Sequence, residues 1–195
     1  MKKKISEKNI KGLVLTLRPD NAQKLLLDKH LNDTRFIYHQ YVEEYLTAIK
    51  ENRSPEYKDY KDLRAEHEFL KDSYSWSLQH VLYVFKQTNR INRSKRSKGQ
   101  KVGLVRFRSK KSHSDYFYIN NVKLSYNFDC KSNSYVYIPK TGNVKFLCKN
   151  IKSELLNGKI KSSVVKRTKL EFTRFRYLLK SIKFTKNVKI INISV

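Results

Sequence analysis

The chain has 195 residues, 43 Lys and Arg against 17 Asp and Glu, and a formal net charge of +26. Such an excess repels itself in a compact state unless a polyanion neutralises it, and phosphate backbones are the commonest polyanions. No run of about 18 apolar residues occurs, which excludes a bilayer-spanning helix, and Met1-Lys2-Lys3-Lys4-Ile5-Ser6-Glu7 lacks a following apolar stretch of signal-peptide length.

The charge is unevenly placed. Residues 1–72 hold 15 basic and 13 acidic side chains, whereas residues 73–195 hold 28 basic and only four acidic ones: Asp115, Asp129, Glu154 and Glu171. Such asymmetry points to nucleic acid rather than to a membrane. A cytoplasmic location is expected, and Cys130 and Cys148 suit a reducing compartment as small apolar fillers.

Gly12-Leu13-Val14-Leu15-Thr16-Leu17 reads as a strand ending at Arg18-Pro19. Asp20 then caps a helix, with Gln23 in capping-box position. A second helix is expected to start at Asn32 or Asp33, with Tyr38, Tyr41, Val42, Tyr45, Leu46 and Ile49 on its apolar side. Glu51-Asn52-Arg53 is a turn. Ser54-Pro55 opens a third helix as N-cap and first helical residue, lined by Tyr57, Tyr60, Leu63, His67 and Leu70. Asp72-Ser73 breaks it. A fourth helix runs from about Ser75 to Asn92 with Leu78, Val81, Leu82 and Phe85 inward.

From residue 100 the apolar period becomes two. Val102–Arg108, Tyr116–Ile119, Val122–Tyr126, Tyr135–Ile138 and Val144–Cys148 read as strands, with Lys131-Ser132-Asn133 as a hairpin turn. The fold class is therefore α+β: a small antiparallel β-barrel with a helical bundle inserted after its first strand.

The sharpest chemical feature is the segment from Lys86 to Lys111, which holds eleven cations and no acid: Lys86, Arg90, Arg93, Lys95, Arg96, Lys98, Lys101, Arg106, Arg108, Lys110 and Lys111. The helix macrodipole accounts for Lys86 and Arg90, but not for the other nine. Guanidinium forks clamp phosphate, and aromatic rings beside them suit exposed bases. Phe107, Tyr116, Phe117 and Tyr118 lie within or just after the run, and half of such alternating aromatics should instead fill the core.

Nothing in the sequence points to catalysis. A metal-dependent nuclease needs converging carboxylates, but Glu56, Asp59, Asp62, Glu66, Glu68 and Asp72 read as the solvated side of one helix. The five histidines have no zinc-type spacing, and His67 belongs to an apolar stripe. No metal and no cofactor is expected.

Four ordered segments carry a resemblance. They are Leu15-Thr16-Leu17-Arg18-Pro19 with Gln23 and Leu26; Thr34-Arg35-Phe36-Ile37-Tyr38-His39-Gln40; Ser77-Leu78-Gln79 followed by Lys101-Val102-Gly103-Leu104-Val105-Arg106-Phe107-Arg108-Ser109-Lys110-Lys111; and Tyr137-Ile138-Pro139-Lys140-Thr141-Gly142-Asn143-Val144-Lys145, with Gly158–Ser162 after it. Together they resemble the front part of TnpB (OrfB) transposon proteins, relatives of type V CRISPR effector nucleases, over roughly residues 12–167. Leu104-Val105 stands where the family usually has Phe-Pro.

The resemblance implies a wedge barrel with a recognition insert that binds guide RNA and the DNA motif beside the target. It divides the chain into 1–19, first barrel strand; 20–92, helical recognition-like insert; 93–167, remainder of the barrel with the basic strand; and 168–195, a divergent basic tail. By the same resemblance Gln79 faces target-adjacent DNA, and Lys86 to Lys111 face RNA or DNA backbone. The family's RuvC-like nuclease triad and four-cysteine ribbon have no counterpart in these residues. The expectation is a non-catalytic binder of guide-like RNA, DNA or both. The recognition subunit of a split nuclease, the product of a decayed transposase gene, and an unrelated basic RNA-binding protein are the alternatives.

Overall fold

The computed structural model describes residues 14–109, 115–120, 122–125, 134–147, 163–169 and 175–180. Helix and sheet are both present, and the fold is α+β. In chain order the elements are β1 (Val14–Arg18), α1 (Asn21–Lys50), α2 (Tyr60–Glu66), α3 (Ser75–Ser97), β2 (Tyr116–Ile119), β3 (Lys123–Ser125), β4 (Tyr135–Ile138), β5 (Gly142–Leu147), β6 (Ser163–Lys169) and β7 (Phe175–Lys180). Two compact units arise: residues 28–117 form one, and residues up to Leu27 with those from Tyr118 onward form the other.

The strands follow the order β2-β6-β7-β1-β5-β4-β3. Each pairing whose register is described is antiparallel. Leu17 lies opposite Phe146 and Val136 opposite Val144, so the inward members of adjacent strands meet. Leu15, Leu17, Val136, Ile138, Val144, Phe146 and Val165 are buried. Their neighbours Arg18, Tyr137, Asn143 and Lys145 are exposed, as the two-residue period of a strand requires. The divergent segment 168–195, whose structure the sequence leaves open, contributes β7, which pairs with β1 through Thr16 opposite Leu178.

The Ile138–Gly142 connection between β4 and β5 is a tight turn. Thr141 N–H donates to Ile138 C=O (3.0 Å), and Lys140 has φ of 66°. With Pro139 at the second position this is a type II turn. Gly142 follows at φ 86°, where a side chain would be strained.

The capping box at α1 forms. Gln23 N–H donates to Asp20 Oδ1 (2.8 Å), and the Asp20 N–H donates back to Gln23 Oε1 (3.2 Å). The second helix expected at Asn32 or Asp33 does not begin there. α1 is one continuous helix of 30 residues. Residues that often cap a helix have other partners: Asp33 takes Lys29 Nζ (2.8 Å) and the Ser73 hydroxyl, Asn32 takes Arg35, and Thr34 bonds back to the His30 carbonyl (2.9 Å).

The helix expected from Ser54-Pro55 is also absent. α2 starts only at Tyr60, capped by Asp59, whose carboxylate accepts Lys61 N–H. Glu44 is the reason. It holds Arg53 through two bonds and takes the Glu56 N–H (2.6 Å), and residues 54–59 have no regular secondary structure. Tyr57 then lies against Tyr41 and Phe85. The chain leaves helix at His67 and passes through a single 3-10 turn, Glu68–Leu70, to Ser73. The acids expected along one helix are therefore spread over four local structures, although all six are exposed.

The core of residues 28–117 gathers Ile37, Tyr41, Val42, Leu63, Leu70, Leu78, Phe85 and Val105. Phe85 is its centre, with the rings of Tyr38, Tyr41, Tyr45 and Tyr57 between 5.5 and 6.1 Å away. Ile49, placed on the apolar side of α1 by sequence, is exposed. The hairpin turn at 131–133, Gly12-Leu13, Tyr126, Cys130, Cys148 and Gly158–Ser162 lie outside the described residues.

Candidate nucleic-acid interface

α3 runs to Ser97, five residues past the expected end. Nothing between Asn92 and Ser97 breaks a helix, and Gly99 ends it. Gly99 has φ of 75°; its N–H donates to Arg96 C=O (2.9 Å) and Gln100 N–H to Lys95 C=O (3.1 Å). These two bonds are a Schellman closure, for which glycine is the usual residue. Lys95 and Arg96 thus occupy the last helical turn, where the dipole favours cations.

Buried Leu78 and Phe85, with partly buried Val81 and Leu82, fix which side of α3 faces inward. The stripe beside that face, at steps of four and three, is Gln79, Tyr83, Lys86, Arg90 and Arg93, and all five are exposed. Around the helix end, Arg90, Ile91, Ser94, Lys95 and Lys98 line a shallow depression with Gln87 and Gln100. Lys86 also lies over the Tyr57 ring at 5.5 Å. The long run without acids leaves these cations no carboxylate close in sequence. No described ion pair involves Lys86, Arg90, Arg93, Lys95, Arg96 or Lys98.

Residues 102–108 are not the strand that period two suggested. The described segment 101–109 has no regular secondary structure. Several of its backbone groups bond to side chains of helices instead of to a neighbouring strand. Tyr38 OH donates to Arg106 C=O (3.2 Å), Arg108 N–H to His39 Nε2 (3.0 Å), and Arg96 Nε to Val102 C=O (3.3 Å). Val105 is buried, while Lys101 and Arg106 face solvent. Phe107 is 52% exposed and meets His39 edge-on.

Arg108 differs from its basic neighbours. Its guanidinium carbon lies 3.8 Å from the Tyr38 ring centre and 4.7 Å from that of Tyr116, and Nη2 donates to Tyr116 OH (3.0 Å). Arg108 and Tyr116 therefore hold the segment in place by binding each other. Burial pushes the Tyr38 phenol above its ordinary value, and the Arg108 charge opposes that rise. Asp115, one of the four acids in the basic part, is buried against Arg35 Nη1 (2.6 Å). Tyr118 is half-buried on β2 between buried Phe117 and Ile119. Lys110 and Lys111 lie outside the described residues.

Sequence reading missed an aromatic stack on the N-terminal half of α3. Trp76 stacks on His80 (4.7 Å between centres, 13° between planes), and His80 meets Tyr83 at 5.2 Å. Burial lowers the His80 pKa, which favours the neutral ring at pH 7. The spacing of four and three was the available signal, and Tyr83 is 58% exposed at the head of the basic stripe.

Among the described residues no three His, Cys, Asp or Glu stand together as metal ligands would. No described helix is long and apolar enough to cross a membrane. Comparison with models of known protein families finds no match, and comparison with curated proteins finds none either.

Proposed function

We propose that this chain is a non-catalytic nucleic-acid-binding protein whose interface is the outer stripe and C-terminal end of α3 with Lys101 and Arg106. The observation that carries the reading is the row of exposed cations from Lys86 to Lys98, with no carboxylate between Asp72 and Asp115. Lys86 to Lys98 covers about 18 Å at 1.5 Å per residue, close to the axial length of five base pairs at about 3.4 Å. That surface matches several successive phosphates. Lining it up costs little, because the helix is already ordered by Phe85 and closed by Gly99.

The finer reading is a wedge-like barrel bearing a recognition insert, as in the front part of TnpB proteins, with guide-like RNA and target-adjacent DNA as partners in the cytoplasm. The short link between its end strands supports a strongly curled sheet. β2 and β3 stand at opposite ends of the strand order, yet only residues 120–122 join them. Seven flat strands would place the ends about 29 Å apart at 4.8 Å per strand, whereas four residue steps reach at most about 14 Å. The helical insertion after β1 and the exposure of Gln79 on α3 support the same resemblance.

The test is fluorescence anisotropy with RNA and DNA oligonucleotides at several salt concentrations. Arg90→Gln, Arg93→Gln, Lys95→Gln and Lys98→Gln together should weaken binding. They should also flatten the slope of log affinity against log salt, by up to about 2.8 on single strands and 3.6 on B-DNA. Unchanged affinity and slope would remove this surface from the interface. RNA recovered with the protein from its host distinguishes the guide-RNA reading. One enriched transposon-end transcript supports it, and random nucleic acid released by salt counts against it.

A further inference from the structure

We propose that the outer face of β3, β4 and β5 is a stacking platform for unpaired bases of single-stranded nucleic acid, centred on Tyr135 and Tyr137. This rests on the nucleic-acid reading above but uses a different element and none of the α3 cations.

The platform follows from strand geometry. On β4, Val136 and Ile138 are buried, so Tyr135 and Tyr137 project to the other face, where Tyr137 is 41% exposed. Two residues along a strand stand about 6.8 Å apart. That spacing admits one planar ring between two others, or one base on each. Register then supplies the surroundings. Tyr135 lies opposite Lys145 on β5 and Ser125 on β3, and Tyr137 lies opposite Asn143 and Lys123. Arg18 on β1 extends the first row, opposite Lys145. Lys145 Nζ sits 5.9 Å from the Tyr135 ring centre. Lys123, Leu124, Ser125, Tyr135, Tyr137 and Asn143 line one open depression.

β1, β3, β4 and β5 contain no Asp or Glu. The face therefore combines one exposed ring (Tyr137), one half-buried ring (Tyr135), amide and hydroxyl groups, and three cations at its margins. Charge complementarity calls for an anion, and the two tyrosine rings call for planar partners. A single strand offers both, because its phosphates are anionic and its bases can turn out. A duplex offers phosphates but keeps base faces stacked, so it would engage the lysines without the tyrosines.

The test uses the full chain with fluorescein-labelled single-stranded RNA and DNA and a hairpin duplex. Replacing both rings, Tyr135→Ala with Tyr137→Ala, should weaken single-strand binding by about tenfold or more. Duplex affinity should stay within about twofold, because phosphate contacts are untouched. Tyr135→Phe with Tyr137→Phe should bind single strands nearly as the parent does, since the rings remain. An alanine pair that binds single strands like the parent, or that loses single strand and duplex equally, would overturn the proposal. If the alanine pair fails to fold, ultraviolet crosslinking of the parent to a 5-iodouridine oligonucleotide decides. Crosslinks at Tyr135 or Tyr137 support the platform, and crosslinks confined to other peptides overturn it. A parent chain with no salt-dependent binding to any probe would sink the α3 reading as well. A parent that binds through α3 alone sinks only the platform.

Discussion

Arg108→Ala should act on stability rather than on phosphate binding, although Arg108 lies inside the most basic stretch of the chain. The guanidinium loses two ring contacts, at 3.8 and 4.7 Å, and one hydrogen bond of 3.0 Å to Tyr116 OH. A cation over an aromatic face contributes about 0.5–1 kcal/mol when exposed and about 2 when desolvated. A neutral-acceptor hydrogen bond adds about 1 kcal/mol. Arg108 is half-buried, so the loss should be about 2–3 kcal/mol. At about 2–4 °C per kcal/mol for a chain of this size, Tm should fall by about 4–12 °C. The backbone N–H of residue 108 would still reach His39, so the segment should loosen without detaching. Arg106→Ala is the comparison. Its side chain faces solvent, so stability should change by less than about 0.5 kcal/mol, while the salt slope of binding should fall by about 0.7–0.9. Urea and thermal denaturation followed by circular dichroism, with anisotropy titrations on the same samples, read both quantities. The reasoning is refuted if Arg108→Ala is as stable as the parent and flattens the salt slope as Arg106→Ala does.

Three further outcomes follow from the packing. Phe85→Ala removes the ring on which four tyrosines converge, and urea denaturation should show a loss of about 3–5 kcal/mol. Gly142→Ala should cost about 1–2 kcal/mol in the same assay, all of it backbone strain, because an added Cβ meets nothing within 4 Å while φ is 86°. Burial is the leading cause that lowers the pKa of His39 and of His80 below the ordinary 6.5. Below pH 6.5 the unfolded chain therefore binds these protons first. Stability should be complete above about pH 6.5 and fall as the pH drops through the folded values. Denaturation midpoints at stepped pH check this, and a midpoint flat from neutral to pH 5 contradicts it.

Local signals were legible where one residue's partners lie within a turn of it. Asp20 and Gln23 formed the capping box that their spacing announced, and Tyr135–Ile138 matched its strand to the residue. The same kind of signal misled at Asn32, Asp33 and Ser54-Pro55. There the groups that could have capped a helix, or the backbone that could have formed one, were engaged by Ser73, Arg35 and Glu44. Period two between 102 and 108 was real as a pattern. It reflects only Val105 pointing into the helical core, with helices α1 and α3 taking the hydrogen bonds a strand would have given its neighbour.

Composition and spacing alone determined the α+β class, the apolar stripes of the helices, the uneven charge, and the acid-free run from Lys86 to Lys111. These depend on residue type and order, which no packing can alter. Tertiary structure decided which cations of that run face solvent. Arg90 and Arg93 stand outward because Phe85 turns α3 inward, whereas Arg108 is taken up by two tyrosines distant in sequence from one another. Only strand register could bring Lys123, Tyr137 and Asn143 into one row, because pairing between strands is set by contacts that a linear pattern does not contain.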